Sequence, residues 1–156
     1  MNEKGYPKPT ASVVIPYKNE EKNGFIYVFN LKDNKWGLPG GKLELFEEIS
    51  IALSREVKEE TGLEILLGKK SLLGYWYFKS EKGNSICNAV FYGEVIGGKL
   101  EITELDKIGA VEVLTIAEIR NLYREGKIRA GRANFEPIEE YLKGTKHSFD
   151  LIHTLF

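Results

Sequence analysis

A single cysteine, Cys87, excludes any disulfide within these 156 residues. No apolar run approaches the roughly 18 residues needed to span a bilayer, so a membrane-embedded chain is not expected. Charge of one sign is also missing: 22 basic against 23 acidic residues leave a net −1, which gives no broad drive toward nucleic acid or anionic lipid. The polar start Met1-Asn2-Glu3-Lys4-Gly5 lacks the charged-then-apolar layout of a signal peptide, making the cytoplasm the expected compartment. His147 and His153, six apart, have no convincing metal spacing, and no Ser/His/Asp arrangement or P-loop is present. What remains, 42 % apolar and 29 % charged, fits one globular domain over 1–156, since no repeat, low-complexity tract or linker divides it.

Ala11 to Tyr17 and Gly24 to Asn30 are rich in Val, Ile, Phe and Tyr and bounded by Lys-Asn and Asp-Asn, which predicts two strands. Residues 36–41 hold three glycines and Pro39, predicting an irregular loop that exposes its backbone. From about Glu47 to Thr61 the period becomes helical, with Ile49, Ala52, Leu53 and Val57 at spacings of three and four. Gly62 is suited to end that helix in the left-handed conformation, with Leu63 as the accompanying apolar contact. Ser71 to Lys79 and Ser85 to Ile96 read as strands joined by a hairpin at Lys82-Gly83-Asn84. A turn is expected at Gly97-Gly98 leading into Lys99 to Thr103, and a last strand at Ala110 to Leu114. Thr115 to Glu118 is a capping box opening a helix to about Glu125. Phe135 to Lys143 forms another, with Pro137 in its first turn and Gly144 closing it. Helices on a largely antiparallel or mixed sheet make the fold class α+β.

The chemistry concentrates between Gly41 and Leu63. At ~100° per residue, Glu56, Glu59 and Glu60 lie at i, i+3 and i+4, so their carboxylates share one arc of the helix. A Glu-rich helix is ordinarily a solvated face, with Arg55 and Lys58 as partners. Here Glu56 and Glu60 fall inside the stripe of Ile49, Ala52 and Leu53, whereas Ser54 and Lys58 point away. Carboxylates so close resist ionisation unless a cation neutralises them, and an all-oxygen set suits Mg²⁺ or Mn²⁺ rather than zinc.

Written as G-x5-E-x7-R-E-U-x-E-E-x-G-U with U apolar, Gly41, Glu47, Arg55, Glu56, Val57, Glu59, Glu60, Gly62 and Leu63 fill every fixed position, and the stretch resembles the Nudix box of the pyrophosphohydrolases. Seven Gly and charged matches arise by chance below about once in 10⁸ start positions, so the signal is strong. The resemblance implies a Nudix-type α/β/α sandwich with a mixed central sheet, the box helix and C-terminal helices. It implies cleavage by water of a diphosphate linkage in a nucleoside diphosphate derivative or nucleotide, with Mg²⁺ (or Mn²⁺) as cofactor. Carried over by position, Glu56, Glu59, Glu60 and the Gly40 carbonyl become metal ligands, and Glu56 is also a candidate base. Arg55 then orients a carboxylate, and Glu47 supports the site through water or Arg55.

One departure is visible: many relatives carry Glu-x-Gly-Glu where this chain has Glu44-Leu45-Phe46-Glu47, so Phe46 must adopt the turn at a cost or change it. Glu44 is either a further outer ligand or a surface acid. Tyr75, Trp76, Tyr77 and Phe78 alternate faces, so one pair, with Tyr75 and Tyr77 as the candidates, is available to stack on a base while the other packs the core. Glu104 and Asp106 are candidates for a second base on a late loop. The basic stretch Arg120, Arg124, Lys127, Arg129 and Arg132 reads first as a solvated helix and turn, and second as a phosphate or RNA contact. Cys87 is expected to be a small buried apolar residue. Relatives acting on ADP-ribose often carry a proline shortly after the box; none occurs here between Pro39 and Pro137, which leans against ADP-ribose. The expected partner is a small-molecule nucleotide, with capped RNA retained as a candidate, no membrane, and a homodimer compatible with the sequence. The alternative to an enzyme is a Nudix-fold module that senses a nucleotide without turnover.

Overall fold

The computed structural model describes residues 6–155; the polar start Met1–Gly5 lies outside the described residues. Ten strands and three α-helices follow one another as β1 (Lys8–Val14), β2 (Pro16–Lys18), β3 (Asn23–Asn30), β4 (Lys35–Gly37), β5 (Gly40–Lys42), α1 (Ile49–Thr61), β6 (Leu63–Leu66), β7 (Leu72–Lys79), β8 (Ser85–Tyr92), β9 (Glu94–Gly98), β10 (Ile108–Leu114), α2 (Ile116–Arg124) and α3 (Glu136–Leu142) among the described residues. Among those residues no helix is long and apolar enough to cross a membrane.

One mixed sheet runs β5-β1-β8-β7, with β1 parallel to β8 and antiparallel to β5. A second runs β10-β3-β2, with β4 also paired to β3, and β6 and β9 form a two-stranded ribbon. Alternation along β1 divides the interior. Ala11 and Val13 join Leu53, Val57 and Phe91 in the core under α1. Val14 joins Tyr27, Val90, Ile119 and Ile138 in a second core under α2 and α3. Helices therefore cover both faces of the sheets, the α/β/α layering expected of the α+β class.

Two expected strands are split. The segment Ala11 to Tyr17 breaks after Val14 because the Ile15 carbonyl turns to accept from Ile26 N–H at 3.0 Å, so β1 and β2 serve different sheets. Ser85 to Ile96 breaks at Gly93, whose N–H donates to the Val14 carbonyl at 3.0 Å. Gly97 and Gly98 are not a turn. They end β9 against Glu64 and Leu63, and a Cβ on Gly98 would lie 2.3 Å from the Gly62 carbonyl oxygen. Lys99 to Thr103 forms no strand; its backbone is tied to the end of α1 by Glu101 N–H donating to the Thr61 carbonyl at 3.0 Å. The loop 36–41 is likewise partly ordered into β4 and β5, because its glycines permit close backbone pairing.

The ends of the helices follow the local sequence. Gly62 is left-handed at φ 76° and its N–H donates to the Lys58 carbonyl at 3.0 Å. The Thr115/Glu118 capping box is formed, with Glu118 N–H donating to Thr115 Oγ1 at 3.2 Å and Thr115 N–H to Glu118 Oε2 at 2.8 Å. Before α1, Phe46 takes the turn itself, at φ 58°.

A left-handed residue with a Cβ costs about 1–2 kcal/mol, whereas glycine loses about 0.5–1 kcal/mol of chain entropy on folding. Phe46 is 70 % exposed, so its ring remains largely in water. Phe46→Gly is expected to raise the urea midpoint by up to about 1 kcal/mol of stability at unchanged m. A lower midpoint would show that the ring contributes more than its backbone costs.

Candidate active site

α1 packs through Ala52, Leu53 and Val57, which are buried. That orientation turns the carboxylates of Glu56 and Glu60 toward β5, where Gly40 and Gly41 have no side chains. A Cβ on Gly41 would meet the Glu56 carboxyl carbon at 2.5 Å, and one on Gly40, at φ 151°, would meet the Ala11 carbonyl oxygen at 2.2 Å. The glycines are required by close approach to the helix on one side and to β1 on the other. Gly40 presents its N–H to Glu60 Oε1, at 3.4 Å.

Arg55 ties the acidic group together. Its Nε donates to Glu47 Oε1 at 2.8 Å and its Nη2 to Glu47 Oε2 at 3.0 Å, a two-pronged pair. Nη1 donates to Glu56 Oε1 at 2.9 Å and reaches Glu59 Oε2 at 3.5 Å. Hydrogen bonds from Arg55, supplemented by the Glu44 N–H at 2.8 Å, hold the Glu47 carboxyl below its ordinary range. Glu44 itself is a surface acid, with its side chain mostly exposed and 4.0 Å from Arg55.

Glu60 is only 7 % exposed, and burial pushes its carboxyl well above the usual range, with the Glu56 charge adding to the rise. Burial also raises Glu56, against the pull of Arg55. The charge of Glu104 acts on both in the same direction, while its carboxylate lies 3.7 Å from Lys107. Asp106 does not line the cleft; it lies in a neighbouring pocket with Asn30, Leu31, Lys32 and Arg129.

Among the described residues no three acidic, His or Cys side chains surround one cation-sized point. Glu56 and Glu60 meet at Gly40–Gly41, while Glu59 is more exposed and is drawn to Arg55. The donor chemistry nonetheless fits a hard divalent cation. The oxygens are carboxylates, the cradle would be filled by a Cβ at Gly41, and buried Glu60 has only one long hydrogen bond among the described residues to offset its charge.

Beside Gly40 and Gly41 opens a cleft of about 360 Å³ between the sheets. Its wall on β1 and β8 is polar where the neighbouring positions are apolar. Buried Asn88 donates to Ser12 Oγ at 2.8 Å and accepts from Thr10 Oγ1 at 2.9 Å. None of these three was singled out from the sequence; the available signal was a polar residue at alternate positions of β1 (Lys8, Thr10, Ser12) and a lone Asn88 within the apolar run of β8. Phe78 lines the cleft. Tyr75 and Tyr77 do not: they occupy the opposite face of β7 and are 62 % and 65 % exposed, because alternation assigns the cleft side to Trp76 and Phe78. Cys87, on that same outer side, is half-buried rather than buried.

Of the basic stretch, Arg129 enters the cleft. Its backbone N–H donates to the Trp36 carbonyl at 2.7 Å, and its side chain pairs with Asp33 Oδ2 at 2.7 Å. Asn134 locks this corner by accepting from Leu38 N–H at 2.9 Å and donating to the Arg129 carbonyl at 2.8 Å. Arg132 instead pairs with Glu136, and Arg120, Arg124 and Lys127 are exposed. His147 and His153 are exposed and stand outside the site.

Comparison with known proteins bears on this arrangement. The family profile described as NUDIX domain matches residues 7–136. The chain is 39 % identical over 87 residues to an ADP-ribose pyrophosphatase of Methanocaldococcus jannaschii, covering 52 % of this chain and 50 % of that protein. The chain thus spans about half the length of the curated relative it matches. Its fold is similar to that of a NUDIX hydrolase from Nitrosomonas europaea, with a TM-score of 0.80 and 26 % identity over 96 % of this chain and 98 % of that one. It is also similar to the NUDIX domain of Shewanella oneidensis NrtR complexed with ADP ribose, with a TM-score of 0.70 over 88 % of this chain and 90 % of that one, where 14 % identity speaks for the fold alone.

The raised Glu60 carboxyl has a consequence for stability. The unfolded value lies near 4.3, so between it and the folded value the native state holds more protons, and stability falls as pH rises through that window. With divalent ions chelated, Glu60→Gln is expected to raise the melting temperature at pH 7.5, by roughly 2–4 °C per kcal/mol relieved, with the gain shrinking toward pH 4. Equal or lower melting of the variant at pH 7.5 would show that the carboxylate is already compensated.

Proposed function

This chain belongs to the NUDIX hydrolase family, and on that basis we propose that it is a metal-dependent pyrophosphohydrolase, cleaving a diphosphate linkage in a nucleoside diphosphate derivative by attack of water at phosphorus. The observation that carries the reading is the pairing of Glu56 with buried Glu60 against two glycines that themselves line a ligand-sized cleft. A structural helix has no use for charges so placed, and a retired site would be free to lose them.

Glu56, Glu59 and Glu60, with the Gly40 carbonyl, would hold Mg²⁺ or Mn²⁺. The bound ion supplies neutralisation of the phosphate charge and acidification of water. Arg55 positions Glu56 and Glu47 by hydrogen bonding both, so that each carboxylate keeps one orientation. Glu56, half-buried and raised, is suited to take a proton from the attacking water, and Glu104 is the second candidate for that task. Arg129 offers a guanidinium to the diphosphate from the other side of the cleft. The missing proline after the box leans against ADP-ribose, yet the name of the Methanocaldococcus jannaschii relative keeps it among the substrates to test.

A panel of nucleoside triphosphates, dinucleoside polyphosphates, nucleotide sugars, ADP-ribose and capped RNA is expected to yield Mg²⁺-dependent release of a mononucleotide from at least one member. Glu56→Gln with Glu60→Gln is expected to lower that turnover by at least about 10²-fold. Retained turnover in the double variant would contradict the metal and base roles of these two carboxylates, and tight binding without turnover by the native protein would favour a sensing module.

A further inference from the structure

The end of the cleft remote from the box is closed by two turns that the proposed hydrolysis leaves without a role. The β3–β4 turn brings Lys32, Asp33 and Lys35, and the β7–β8 hairpin brings Glu81 and Lys82. An ion pair between Lys35 and Glu81 joins the two turns. Beside it Lys32 and Lys82 both line the cleft, and Lys32 lies close enough to Lys82 to oppose its protonation. Two ammonium groups repel at that range. Of the nearby carboxylates, Asp33 is engaged by Arg129 at 2.7 Å and Glu81 by Lys35, while Asp106 faces the outer side of Lys32 in a neighbouring pocket. Lys8, level with Ile86 across β1 and β8, adds a third cation to the same wall.

The position of the pair is defined by what surrounds it. Arg129 lines the same cleft and pairs with Asp33 of the β3–β4 turn, and its charge acts on both Glu60 and Lys82. Along β8, the four residues from Asn88 back to Asn84 span ~13 Å. That interval is walled by Phe78 and Ile86, which are direct cross-strand partners, and by Leu38. A planar, partly apolar group suits this middle section, and the far end then offers two converging cations.

We propose that Lys32 and Lys82 form an anion subsite, which takes a phosphoryl group carried by the substrate at the end of its nucleoside away from the scissile diphosphate. The subsite rests on the pyrophosphohydrolase reading only for which end of the ligand faces the box. An anion between the lysines replaces their repulsion by two charge-assisted hydrogen bonds. It also bridges the two turns a second time, next to Lys35 and Glu81.

Calorimetric titration in Mg²⁺ with AMP, adenosine 2′,5′-bisphosphate and adenosine 3′,5′-bisphosphate tests this, since none of the three has a diphosphate linkage to cleave. At least one bisphosphate is expected to bind at least about tenfold more tightly than AMP, with a steeper salt dependence. Lys32→Ala with Lys82→Ala, both on exposed turns, is expected to bring that ratio to about one while leaving AMP binding unchanged. Equal affinity for all three ligands, or no binding of either bisphosphate, overturns the proposal, as does a preference that survives in the double variant. A bisphosphate preference in a protein that turns over nothing in the substrate panel would uphold the subsite and sink the hydrolase reading.

Discussion

The site depends on the way α1 is clamped. Leu53 and Val57 are fully buried, and each contributes on the order of 1.5–3 kcal/mol by leaving water. Turning an unpaired carboxylate inward costs several kcal/mol, so Glu60 can face the interior only because a helix anchored on both sides of it holds it there. The Gly62 cap ends the helix one residue after Thr61, and Leu63 continues directly into β6, which leaves the last turn no freedom to rotate Glu60 back to solvent. Arg55 contributes from the outer side. Its guanidinium binds Glu47 in the loop before the helix and Glu56 on the helix itself, so one side chain fixes the entry loop and the acidic arc together.

The opposite wall is built by different means. On the α1 side, packing is apolar and charge is introduced by the helix. On the cleft side, backbone pairing and side-chain amides do the positioning. The segment around Ile128 runs parallel to β4 at Trp36, and Asn134 spans from Leu38 to Arg129. Tyr27 donates to the Asn134 carbonyl at 2.7 Å, and burial raises its phenol far above the ordinary value, so it remains a donor at any physiological pH. The rigid helix thus holds its charge against Gly40 and Gly41, and the cleft that opens beside those glycines is walled by amides, hydroxyls and Arg129.

Much of this was legible in the sequence where the determinant is local. The box helix, its Gly62 stop, the Thr115/Glu118 cap and the hairpin at Gly83 each follow from residues within a few positions of one another. The inward set of Glu56 and Glu60 followed from the apolar period of Ile49, Ala52, Leu53 and Val57. The splits at Ile15 and Gly93 did not follow, because an alternating apolar run looks the same whether it pairs in one sheet or passes between two. Nor did the choice of Phe78 over Tyr77 for the cleft. Alternation divides the four aromatics into two pairs, but which pair faces inward depends on which side of β7 the second sheet covers.

The sequence by itself determined the family, the α+β class and the acidic arc, since those rest on spacing along one helix and on residue types at set positions. Tertiary structure decided which distant residues share the site. Arg129 rather than its basic neighbours and the trio Thr10, Ser12 and Asn88 were brought together by strand register and by how the two sheets stack. Those are contacts between segments up to about a hundred residues apart, formed when the cores close, and no periodicity within a single segment encodes them.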